Sequence, residues 1–368
     1  MGIIGKGAGP PENWTLPPNV TSFPEYDATV VGIEFFFVPV FALFGIPGNA
    51  FSCATFSTKP LNKYSSSFLL TVKNLSDIGL LATLFLIWAS SVFDLDFSQI
   101  FPVCQVFIFL SYVFGCLSAW LISLVALETY VRLSKPLCVK IICRRRKAKC
   151  ITAFMTVVIV CGYSFPFWTG GPDCLPNDSF REFISIMVYV DSALTMFAPC
   201  AIVMMTCVAV FMAYIQSYQR HRKLSSFSSE SYGRVKQATI MHFVVTVTFI
   251  LLNLPLHVSR ICLMDLHAID TVNISRTESA FQTISLLLYY FSLAMNFVIY
   301  YAFGSRFRAS FNEHIKRKER QNIQAIRINR KPSIPPLIVR RKFCTFASGN
   351  GNNFNKTYFP GMRQANDV

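Results

Sequence analysis

The sequence predicts an all-α membrane protein: a bundle of seven transmembrane helices with a short amphipathic helix after the seventh. Three observations lead there. Of the 368 residues, 53% are hydrophobic and only 14% are charged, with a mean hydropathy of +0.44, whereas about a quarter of a soluble domain is charged. The 36 Phe residues gather in apolar runs of about twenty residues, the length of helix that crosses a hydrocarbon core about 30 Å thick. The net charge of +15 sits between alternate runs, which is how a multi-pass protein fixes its orientation. This composition argues against a soluble enzyme and against a nucleic-acid-binding protein.

Residues 1–29 come first and are polar, with Glu12, Glu25 and Asp27. They contain no apolar stretch ahead of a small-residue cleavage site, so no removable signal peptide is expected. The apolar runs then cover residues 30–56, 68–92, 103–131, 150–168, 183–214, 238–264 and 279–301, within a bundle expected over 30–303. Between the third and fourth runs lie Arg132, Lys135, Lys140, Arg144, Arg145, Arg146, Lys147 and Lys149 with no acid. That connection is expected inside the cell and against anionic lipid, at about 1 kcal/mol per basic residue near the surface. The connection holding Arg220, Arg222, Lys223, Arg234 and Lys236 agrees, and it is too short for a folded insert. The alternate connections hold Asp94 and Asp96, then Asp173, Asp178 and Glu182, then Asp265, Asp270 and Glu278, and are expected outside with the N-terminus. Residues 304–318 place Phe307 and Phe311 four apart, after Phe303, among Arg, Asn, Glu and Lys. This is the pattern of an amphipathic helix along the inner interface with Phe on the lipid side. Residues 319–368 are basic, then rich in Pro, Gly, Asn and Ser, and are expected to be disordered.

Acceptor sequons at Asn13, Asn177 and Asn273 fall on the expected outer side, where glycosylation occurs. Asn74 and Asn355 also fit the pattern but lie in a span and in the inner tail, so neither is expected to be modified. Cys104, at the outer start of the third run, and Cys174, in the acidic connection, are candidates for a disulfide. The alternative is two free thiols.

A set of short motifs carries a resemblance. Gly48-Asn49 stands in the first run, Leu75-Ser76-Asp77 in the second, and Glu128-Thr129-Tyr130 lies twenty-four residues after Cys104. Pro199 stands in the fifth run, Phe249, Leu252 and Pro255 in the sixth, and Asn296 with Tyr300 in the seventh. In order, spacing and side of the membrane these resemble the rhodopsin-like G-protein-coupled receptors from about Val30 to Phe311. The resemblance implies a Cys104–Cys174 bridge and a ligand-gated change in which Phe249, Pro255 and Tyr300 act as switches. It further implies an inner face of Glu128, Thr129, Tyr130, Arg132 and Pro136 toward a heterotrimeric G protein. The chain departs from the family at Thr129, where the family has arginine, at Asn253 in place of tryptophan, and at Phe297 in place of proline. The family's fourth-helix tryptophan is also missing from the stretch Cys150 to Ile159. A Thr129 hydroxyl is expected to weaken the inactive-state restraint and to remove a G-protein contact.

An ionisable group inside a span is costly and is a functional candidate by default. By the resemblance Asp77 joins Asn49, Ser118, Ser292 and Asn296 in a polar cluster that holds sodium; the other reading is a hydrogen-bonded network without an ion. Nearer the outside, His257 and Arg260 share a face of the sixth run and Asn253 extends it inward. With Asp191, Ser111, Tyr112, Gln282 and Tyr289 they form a mixed-charge ligand site, Arg260 for a carboxylate and Asp191 for an amine or guanidinium. Alternatively, Asp191 pairs with Arg260 or His257 and touches no ligand. Ser111 stands where amine receptors carry Asp, and Phe281 to Tyr301 holds no lysine for a retinal Schiff base. The acidic outer connections favour a cationic extracellular ligand, a peptide.

The leading expectation is therefore a receptor for an extracellular peptide that activates a G protein. The alternative is a seven-helix binding or scaffold protein with weak or no coupling. A transporter would show inverted repeats or paired broken segments. No metal-protease, nucleophile-elbow or P-loop pattern occurs, so neither catalysis nor a cofactor is expected beyond sodium near Asp77.

Overall fold

The structure is a computed structural model and describes residues 28–93, 95, 100, 102–134, 139–171, 177–223, 229–269 and 276–329. Long stretches of Phe, Leu, Val and Ala become helix because backbone N–H and C=O groups inside a bilayer must be paired within the segment. The first three spans are Ala28–Ser57, Ser65–Val92 and Val103–Ser134, and the fourth is Arg145–Gly162. The fifth runs Arg181–Ser192, passes through a π-helical turn at Ala193–Phe197, and continues as Ala198–Lys223. The sixth is Ser229–Ile269, and the seventh is Arg276–Ala294 followed by Asn296–Phe303. Six of the described helices are long and apolar enough to cross a membrane, and the last pair, bent by 50°, supplies a seventh crossing.

The packing is inverted relative to a soluble domain. Phe44 (74%), Phe154 (71%) and Met205 (67%) are among the most exposed large side chains, whereas Asn49, Thr55, Asn74 and Asp77 are fully buried. Lipid covers the apolar exterior, so the interior is where polar groups meet partners.

Three local features differ from the sequence expectation. The fourth span starts at Arg145 rather than Cys150, because Arg145 and Lys149 lie over the Phe68 ring at 6.0 and 5.9 Å and extend the helix beyond its apolar run. The seventh span breaks at Met295 although no proline is present. There the Leu293 carbonyl accepts from the Asn296 amide at 3.0 Å and from the Asn49 amide of the first span at 2.9 Å. Side chains thus enter the backbone ladder at the bend, an established cause of kinking. In the fifth span the π turn precedes Pro199, whose ring and missing N–H disturb the preceding turn.

The helix after the seventh span runs Ser305–Asn329, so residues 319–329, expected to be disordered, are helical. Gln321, Gln324 and Ala325 favour helix, and no proline intervenes before Pro332. Phe307, expected on the lipid side, is instead 1% exposed and packs on Phe56 and Tyr300 at centroid distances of 5.0 and 5.7 Å. Phe303 remains exposed.

Candidate functional site

Toward the Cys104 end of the bundle, the second, third, fifth, sixth and seventh spans enclose a cavity of about 60 Å³. Ser111, Tyr112, Asp191, Asn253, His257, Arg260 and Tyr289 line it. Gln282, four residues before the lining Leu286, does not.

Asp191 is buried and internally paired. Its Oδ2 lies 3.3 Å from the Arg260 guanidinium, and its Oδ1 accepts from the Tyr163 hydroxyl at 2.8 Å. Tyr112 stacks on Tyr163 at 5.2 Å with the rings 10° apart. Tyr163, at the end of the fourth span, was not expected from sequence; a lone tyrosine there reads as an interfacial anchor. Asn253 donates to the Phe249 carbonyl at 2.5 Å, but its Oδ1 and the His257 Nδ1 are buried without a partner among the described residues. A buried polar atom left unpaired is costly.

The cavity reaches Ser118, whose hydroxyl donates to Asp77 Oδ1 at 2.6 Å. Around Asp77 the expected cluster forms from Asn49, Ser118 and Asn296. Ser292 stands apart, donating to the Tyr289 carbonyl at 2.7 Å and lying 3.4 Å from Asn253. The cluster also holds Lys73, whose ammonium is 2.6 Å from Asp77 Oδ2 and 3.1 Å from Asn296 Oδ1. A sodium ion does not fit beside it: the carboxylate is already neutralised, and its oxygens face an ammonium, a hydroxyl and an amide. The expectation of sodium near Asp77 is corrected accordingly.

At the opposite end, Thr129 joins the third span to the sixth. Its hydroxyl lies 2.7 Å from His242 Nδ1 and 2.8 Å from the Val125 carbonyl. A bridge between these helices therefore exists without arginine. Glu128 is paired with Arg132 at 2.5 Å and accepts from the Ser65 hydroxyl, while Arg132 also lies 5.7 Å from the Tyr64 ring centroid. Tyr130 is half-buried, and Tyr300 is fully buried. Pro136, Cys174, Asn13 and Asn273 lie outside the described residues; Asn177 is exposed.

The architecture is that of a multi-pass helical membrane protein with a cavity near one end and an interhelical bridge near the other. The sequence profile described as "7 transmembrane receptor (rhodopsin family)" matches residues 48–300, and the chain belongs to that family. It is a receptor rather than an enzyme. Comparison with curated proteins gives no match.

Proposed function

We propose that the protein is a plasma-membrane receptor whose cavity binds an extracellular peptide and whose opposite end activates a heterotrimeric G protein. The carrying observation is the Asp191–Arg260 pair, which links the fifth span to the sixth inside the cavity. A ligand bearing an ammonium or guanidinium and a carboxylate can replace each partner of that pair by its own group. The exchange separates the two helices without leaving a charge unpaired. Donor groups on the same ligand would satisfy the Asn253 oxygen and a neutral His257 acceptor nitrogen.

The sixth helix transmits the change. Pro255 interrupts its hydrogen-bond ladder between His257 and His242, so movement at one end bends the helix and strains the Thr129–His242 bridge at the other. Release of that bridge would open a cleft to Glu128, Thr129, Tyr130, Arg132 and Pro136, where a G protein docks. The ligand acts only through its preference for the open state over the closed one. The same orientation puts Cys104, which is held in a disulfide, and its proposed partner Cys174 outside with the Asn13, Asn177 and Asn273 sequons. It puts the basic connections against anionic lipid.

The test is G-protein activation in cells, with and without a peptide library, at matched surface expression. The charge-exchanged variant Asp191→Arg with Arg260→Asp keeps a pair but inverts the polarity offered to a ligand. It should reach the surface and lose the wild-type response. Silence of surface-expressed wild type across the library and all G-protein classes would favour an uncoupled binding or scaffold protein, a reading supported by Thr129 in place of the family's arginine.

A further inference from the structure

The mechanism above leaves unused a lysine within the second span. Lys73 is 2% exposed and Asp77, one helical turn on, is fully buried. A lone ammonium at this depth is strongly disfavoured, so its pairing at 2.6 Å with a carboxylate four residues away is required by burial. We propose that Lys73 is a built-in cation: its ammonium stands in the coordination position that a sodium ion would need at Asp77, making the protein indifferent to sodium. The second helix is thereby tethered to the break in the seventh by a covalently attached charge that cannot exchange with solvent.

Each oxygen around the carboxylate bears this out. Asp77 Oδ1 accepts from Ser118 at 2.6 Å. Asp77 Oδ2 accepts from the Asn296 amide at 2.7 Å as well as from Lys73. The Asn296 oxygen accepts from Lys73 at 3.1 Å, and the Asn49 oxygen lies 3.4 Å from the Asn296 nitrogen. A small hard cation needs several oxygens with free lone pairs, and here those oxygens already face donors. A second cation would also sit beside an ammonium in a region of low dielectric, where repulsion is poorly screened. Asn296 is the residue at which the seventh helix resumes after its 50° bend, so Lys73 and Asp77 together grip the bend from the second span. An exchangeable ion could leave when the bundle rearranges; an ammonium on the second helix moves only with that helix.

This inference is independent of ligand identity and of G-protein coupling, so its test uses neither. Thermal unfolding of the purified full-length protein in detergent is compared in sodium chloride and choline chloride at equal ionic strength. Wild type should unfold at the same temperature in both. Lys73→Met keeps the apolar stem but leaves Asp77 without its cation. It should be less stable in choline and regain about 3 °C or more in sodium, as expected when an ion binds only the folded state. If Lys73→Met does not fold, the double variant Lys73→Met with Asp77→Asn removes both charges; its recovery of folding, with indifference to sodium, supports the same assignment. Sodium-specific stabilisation of wild type overturns the proposal. So does a Lys73→Met protein as stable in choline as wild type, since its carboxylate would then have no need of the lysine.

Discussion

Thr129 stands where the family resemblance places an arginine, and its single hydroxyl joins the third helix to the sixth. Its 2.7 Å bond to His242 is buried, and an intramolecular hydrogen bond contributes about 1 kcal/mol, or about fivefold in the ratio of closed to open states. Thr129→Val and His242→Ala should each raise ligand-free G-protein nucleotide exchange about fivefold, and the double variant should add little, because both remove the same bond. Unchanged basal exchange in both single variants would refute the bridge. Cys143 lies close by, outside the spans, and burial beside the Glu128 carboxylate pushes its thiol up to about 11. The thiolate is the nucleophile, so alkylation of Cys143 should be slow at neutral pH and climb with pH toward 11. The raised pKa cuts the thiolate about 100-fold while higher basicity restores about tenfold, leaving about tenfold slower reaction than a free cysteine. Site-resolved mass spectrometry after timed alkylation reads this directly. At this scale the site was partly legible. Asp77 stands out as an intramembrane acid, and Lys73 obeys the same rule at i,i+4 spacing, so their pairing could be read from the chain. Tyr163 could not be: which acid its hydroxyl meets depends on how the fourth and fifth spans pack.

Helices were legible where their cause is local. Apolar length alone marks the spans, and the absence of Gly and Pro before Pro332 accounts for helix as far as Asn329. The bend at Met295 was hidden because it depends on Asn49, a residue of the first span, reaching the Leu293 carbonyl. The orientation of the final helix was hidden for a similar reason. A four-residue Phe spacing shows that a face is apolar without showing whether lipid or protein covers it. Phe307 is covered by protein and lies within 6 Å of Phe56, Phe297 and Tyr300, measured between ring centroids. Phe307→Ala should therefore destabilise the purified receptor by about 3 kcal/mol, the usual cost of a phenylalanine-sized cavity. Phe303→Ala, at an exposed position of the seventh span, should change the unfolding temperature little. Equal effects of the two substitutions would show that the aromatic cluster does not anchor this helix.

For the molecule as a whole, the two ends of the bundle are distinguished by charge. Eight basic residues and no acid occupy Arg132 to Lys149, and the connections at the other end carry the acids. Positive charge is retained on the cytoplasmic side during insertion, so under the proposed function this asymmetry predicts which end meets the ligand and which meets the G protein. Asn177 tests the assignment: it is exposed, its sequon is complete with Ser179, and it belongs to the Cys104 end. Expressed in cells, the protein should shift in mobility on treatment with a glycosidase, and Asn177→Gln should remove one step of that shift. Asn74, fully buried in the second span, and Asn355, in the basic tail, should contribute nothing. A glycan at Asn355 with none at Asn177 would invert the molecule. The cavity would then face the cytoplasm, and the proposed path from ligand to G protein would run the wrong way.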